Sequence, residues 1–164
     1  MKAQVWSIDF VGSVVIFFLS IMLILFVWEY SAYSNAQQNA LNEMNSLAMK
    51  ITDTLVRTPG LPPEWNISSV RLVGLMAADE NKLNATKVDF LTSMDYAALK
   101  NKLNTLGRDF YLEMRYINST LAANSSGSSI QVGAYPSGAS AVVPVERYVL
   151  YNEKPAKLRF MLWY

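Results

Sequence analysis

The chain has 164 residues, 16% of them charged, with a formal net charge of +1, no cysteine and no histidine. A near-neutral balance without a Lys/Arg cluster gives no basis for nucleic acid binding, and the missing cysteines exclude a disulfide framework and thiolate chemistry. The missing histidines remove the commonest metal ligand and general base, so the composition points away from an enzyme and leaves room for one modest domain beside a long apolar run.

That run is FVGSVVIFFLSIMLILFVW, Phe10 to Trp28, and it holds no charge. As a helix rising about 1.5 Å per residue it spans roughly 28 Å, close to the hydrocarbon thickness of a bilayer. An ordinary secretory signal is the competing reading, with Ala32-Tyr33-Ser34 as its cleavage site. The run is longer than the core of such a signal, and Lys2 is the single basic residue before it. Lys2 precedes the run, while Glu29 follows it with no Lys or Arg until Lys50. This asymmetry orients a single span with its N-terminus in the cytoplasm and the remainder outside.

Asp9 stands at the edge of the run. A carboxylate there is costly unless it is paired or kept at the interface. The N-terminal amine of a neighbouring copy is a suitable partner, and such a pair would set the stagger between adjacent helices. The plainer alternative leaves Asp9 in the headgroup layer of a single-span anchor. Gly12, Ser13 and Ser20 suit close helix approach, a pattern also common in isolated spans.

The stretch Lys2-Ala3-Gln4-Val5-Trp6-Ser7-Ile8-Asp9-Phe10 resembles the N-terminus of archaeal type IV pilin-like proteins, which carry a class III signal peptide. The resemblance implies that a membrane-embedded prepilin peptidase removes residues 1–3, with Lys2 and Ala3 before the cut and Gln4 as the new N-terminus. The pattern around Ser7, Asp9 and Phe10 also fits a cut after Gln4. Asp9 and Phe10 would then serve assembly. Gly60-Leu-Pro-Pro-Glu-Trp65, Gly74-Leu75 followed by Asp79-Glu80, and Glu146-Arg147 leading to a final Leu-x-Phe-x-Leu-Trp strand look like the same family. By the same resemblance the partners are identical or related pilin subunits, the prepilin peptidase, a membrane platform protein, a cytoplasmic assembly ATPase, and the lipid bilayer before assembly.

Beyond Trp28 the helical pattern continues to Thr58 through Tyr33, Ala36, Ala40, Leu41, Met44, Leu47, Ala48, Ile51 and Leu55, at three- and four-residue spacing. Pro59-Gly60 ends it. A long helix over residues 4–58 is therefore expected, its first half apolar all round and its second half striped. Opposite the stripe lie neutral polar residues, Asn35, Gln37, Gln38, Asn39, Asn42 and Asn45, which avoid like-charge repulsion between identical copies.

Residues 59–164 read as an outer domain. Val70 to Met76 suggests a first strand, and Thr86 to Asp89 has capping-box spacing. Ser93 precedes a helix through Tyr96, Leu99, Leu103 and Leu106, with Gly107 as its stop. Asp109 to Ile117 reads as a strand with Phe110, Leu112, Met114 and Tyr116 on one face. A polar loop covers Asn118 to Ser129, and Ile130 to Tyr135 is a short strand. Val145 to Tyr151 and Lys157 to Tyr164 form a hairpin around Asn152-Glu-Lys-Pro155. The apolar terminal stretch LRFMLWY belongs in a central or covered strand. This order predicts an α+β fold, a long N-terminal helix laid across a small antiparallel sheet. The pilin-like resemblance implies the same layout.

Asn66, Asn84, Asn118 and Asn124 each open an Asn-x-Ser/Thr sequon beyond the apolar run, and so are N-glycosylation candidates in an exported glycoprotein. Asn and Ser are also ordinary turn residues. Asp79, Glu80 and Asp89 lack the spacing and turn glycine of a calcium loop. No phosphate-binding glycine loop occurs, and neither a metal nor another cofactor is expected. Two function classes remain. One is a structural pilin or pseudopilin, found in the cell membrane and in an extracellular filament. The other is a monomeric extracellular binding domain on a permanent single-span anchor.

Overall fold

A computed structural model describes the backbone from Lys2 to Tyr164 and the side chains from Ile8 onward. The chain divides into two units, residues 1–40 and Leu41–Tyr164. One helix, α1 (Lys2–Arg57), supplies the described part of the first unit and opens the second.

In the second unit α1 is followed by α2 (Ala85–Ser93), α3 (Tyr96–Lys102), β1 (Asp109–Tyr116), β2 (Gln131–Gly133), β3 (Val142–Tyr151) and β4 (Lys154–Trp163). The strands form one antiparallel sheet in the order β2-β1-β4-β3. The architecture is α+β, with the helix on the sheet. Met44, Ala48, Ile51 and Leu55 recur at helical spacing and enter one core with Phe110 and Leu112 of β1 and Leu158, Phe160 and Leu162 of β4. The apolar C-terminus is explained by its place. β4 pairs on both sides, with β1 and β3, and alternate residues Ala156, Leu158, Phe160 and Leu162 are fully buried. Phe110 and Phe160 stack at 5.6 Å between ring centroids.

The outer face of the sheet carries a charge ladder. Glu113, Arg159 and Glu146 lie in register across β1, β4 and β3. Glu113 is buried beneath Arg115, which donates through Nε and Nη2 at 3.2 and 3.1 Å. Alternating signs on directly opposed positions favour this register, and one residue of slip would set Glu113 and Glu146 against Leu158 or Phe160 instead of Arg159.

The local structure departs from the sequence expectations at several points. Val70 to Met76 is not a strand. It makes single bridges, Leu61 to Leu72 and Met76 to Leu83, and otherwise wraps the end of α1, where Leu75 N donates to Leu55 O at 2.8 Å. Thr86 lies inside α2, and the cap is Asn84, whose Oδ1 accepts from Lys87 N. Asp95, not Ser93, caps α3. That helix ends at Lys102 because Asn104 turns left-handed at φ 52°, so Leu106 emerges 59% exposed instead of continuing the apolar stripe. β1 stops one residue short of Ile117, and β2 is shorter than the expected Ile130–Tyr135. The hairpin turn is tighter than expected. Asn152 and Glu153, at φ 50° and 59°, make the reversal alone, and Lys154 and Pro155 already belong to β4.

A polar cluster joins α3 to β1. Asp109 Oδ1 accepts from Lys100 Nζ and from the Tyr96 hydroxyl, both at 2.7 Å, while Tyr96 Oη accepts from Phe110 N at 3.3 Å. Lys100 and then Tyr96 hold the Asp109 carboxyl below its ordinary value. Burial, then the bond to Asp109, pushes the Tyr96 phenol up to about 12. The folded state therefore keeps a proton on Tyr96 that the unfolded chain releases near pH 10, so this contribution is present below pH 10 and is lost as pH rises through 12. Tyr96→Phe is expected to cost about 1 kcal/mol at neutral pH. It should also flatten the alkaline loss of stability, read as urea midpoints from pH 8 to 12.

Candidate assembly and membrane surface

The first unit is built of residues that water disfavours. Every Phe, Ile, Leu and Met from Ile8 to Phe26 is exposed, from 36% at Ile21 to 72% at Ile8 and Met22. Covering a large apolar side chain is worth about 1.5–3 kcal/mol, so a dozen such residues demand a lipid or protein environment. One helix long and apolar enough to cross a membrane is present near the N-terminus. Its own polar groups are satisfied internally: the Ser13 and Ser20 hydroxyls donate to Phe10 O and Ile16 O, both at 2.8 Å. Gly12 has open space around it, so a second backbone could approach there.

Asp9 and Phe10 are both exposed at the start of this surface, and Asp9 makes no ion pair among the described residues. At the other end Trp28, Tyr30 and Tyr33 are each at least 70% exposed beside Glu29. Aromatic rings with one polar atom suit the boundary between hydrocarbon and water. The expected processing residues Lys2, Ala3 and Gln4 have helical backbone, and their side chains lie outside the described residues.

The four sequons fall in different settings. Asn66 and Asn118 are exposed, and each folds its Oδ1 onto the downstream hydroxyl residue: Asn66 onto Ser68 N and Oγ, Asn118 onto Thr120 N and Oγ1. Asn84 is spent on the α2 cap. Asn124 is half-buried, its Oδ1 accepting from Ser126 and its Nδ2 donating to Thr92 Oγ1 at 3.3 Å. The three carboxylates weighed for calcium do not act together. Asp89 Oδ1 accepts from Ser125 N, whereas Asp79 and Glu80 lie on the turn beside Tyr148.

One group invisible to sequence patterns organises the end of α1. Lys87 reads as a solvated lysine on α2, yet it is buried, and its Nζ donates to Pro59 O at 2.8 Å and Met76 O at 3.2 Å. Burial lowers its pKa. Beside it the Trp65 indole, 2% exposed, donates to Gly74 O at 2.8 Å and packs on Phe90. These bonds tie the segments around Pro59 and Gly74–Met76 to α2 and to Trp65 within the second unit.

A long apolar N-terminal helix followed by a small antiparallel sheet is compatible with a pilin-like layout. Compared with protein-family models, curated proteins and solved structures, the chain gives no match.

Proposed function

We propose that the chain is a structural subunit, a major or minor pilin or pseudopilin, of an archaeal type IV pilus-like surface filament. The observation that carries this reading is Asp9, a carboxylate at the rim of an apolar helical surface exposed on every side. The helix is stored in the bilayer and then withdrawn to bundle with identical or related copies. The amine released by a prepilin peptidase on one copy pairs with Asp9 of its neighbour and fixes their stagger. Association is head to tail, giving an open helical array. The platform protein and assembly ATPase follow from the resemblance, and no nucleic acid takes part. The second unit faces outward, with Asn66 and Asn118 as the sequons best placed for glycans.

Two measurements test the reading. Mass spectrometry of protein from native membranes should find the leader removed, after Ala3 or Gln4. Asp9→Ala should reduce surface filaments about tenfold or more, since removing one partner of a buried pair costs about 3–5 kcal/mol. A retained Met1-Lys2-Ala3 together with unchanged filament yield would instead support a monomeric binding domain on a single-span anchor.

A further inference from the structure

The two flanks of the second unit differ in charge and shape. On the α3 flank, Leu47, Lys50 and Thr54 of α1 line a groove of about 190 Å³ with Leu72, Lys102 and Leu103. Leu72 is 42% exposed there. Lys102 Nζ donates to Val70 O at 2.6 Å, which holds its charge at the rim, and Arg71 stands exposed on the adjoining wall. The flank is therefore cationic around an apolar floor. An apolar cavity of about 150 Å³ holds a benzene ring, so the groove has room for one aromatic side chain.

The β3 flank is its complement. Asp53 lies about 100° around the helix from Thr54, and it takes Arg147 of β3 at 2.9 Å. Asn81 N donates to Val56 O and Leu150 N to Asn81 O, so the turn carrying Asp79 and Glu80 is laid against the edge of β3. Both carboxylates are exposed there beside Tyr148. Tyr148 is 71% exposed on an edge strand; around it Lys82 is paired with Glu153 and Lys157 with Glu146, which leaves Asp79 and Glu80 as the carboxylates there with no ion pair among the described residues.

We infer that these flanks are the two halves of a contact between copies of this chain. Tyr148 of one subunit seats over Leu72 in the groove of the next, with Glu80 opposite Arg71 and Asp79 opposite Lys50. The ring sits over an apolar floor between two ammonium groups, Lys50 and Lys102, which its π face attracts. Because the halves occupy different flanks, the contact is heterologous, as an open helical array requires. It rests on the assembly reading and adds to the helix bundle a second, outer interface that selects like copies.

The chain has no cysteine, so a disulfide test has no background. A Lys50→Cys/Asp79→Cys double variant of the full chain, which keeps Tyr148 and Leu72, oxidised in native membranes and filaments, should run as a ladder of dimers, trimers and higher species without reductant. Either single variant should stay monomeric. In the double-variant background, Arg71→Glu or Glu80→Arg should each cut the ladder about tenfold through like-charge contact, and the two together should restore it. Filaments that form normally but give no ladder overturn the flank contact alone. Single variants that dimerise as strongly as the double overturn its heterologous geometry. A chain that makes no assemblies before any substitution overturns the assembly reading and this contact with it.

Discussion

Trp65→Ala is expected to cost about 3–5 kcal/mol, the range for removing a large buried aromatic side chain. That is a large fraction of the about 5–15 kcal/mol that stabilises an ordinary domain. Three losses coincide at this site. The largest of the fully buried side chains disappears, Phe90 loses the ring at 5.9 Å, and Gly74 O loses its indole donor. Trp65→Phe keeps much of the packing and forfeits the hydrogen bond, worth about 1 kcal/mol plus a cavity term. Urea unfolding of the full chain in detergent, followed by the loss of sheet signal in circular dichroism, separates the two variants. A Trp65→Phe midpoint equal to that of the parent chain would show that the indole bond contributes nothing.

Gly74→Ala should be comparably damaging for the opposite reason. A Cβ at this position would be driven into Thr58 O and Gly60 N, both backbone atoms. Backbone yields far less than the end of a side chain, so the added methyl must push the 58–60 turn away from the 72–76 segment. Overpacking of this kind costs about 1–3 kcal/mol or more. It also strains the bonds from Leu75 N to Leu55 O and Met76 N to Thr58 O, which tie this segment to the last turn of α1. Gly107→Ala is the control: unlike Gly74, it crowds nothing within 4 Å, although its φ of +83° adds some backbone strain. Its midpoint should fall by less than half as much, measured in the same titration.

Much of the fold is legible because its periods are clean. The stripe from Met44 to Leu55 repeats at helical spacing and meets the core as expected, and the alternation of Phe110, Leu112 and Met114 selects the buried face of β1. The hairpin was readable from its turn residues, and the apolar C-terminus from the cost of leaving it in water. What was not legible depends on partners distant in sequence. Val70 to Met76 has strand composition, but its hydrogen bonds go to a helix end and to short bridges. Asn84 opens a sequon and also caps α2, a second role that the sequence does not display, because Asn serves both turns and helix starts. Lys87 gives no sign in the sequence that it will be buried against two carbonyls twenty-eight and eleven residues away. The apolar rod itself was legible from composition alone, whereas the two charged flanks appear only once the chain is folded.

The margin of the sheet has a further consequence. β3 is an outer strand, and toward one end it carries Pro144, which has no amide hydrogen to offer. Toward the other end Leu150 already exchanges main-chain bonds with Asn81 and Leu83. On the opposite side, β2 is only three residues long. Both rims therefore leave only a short run of unpaired main chain, which lowers the tendency of these molecules to join edge to edge when crowded.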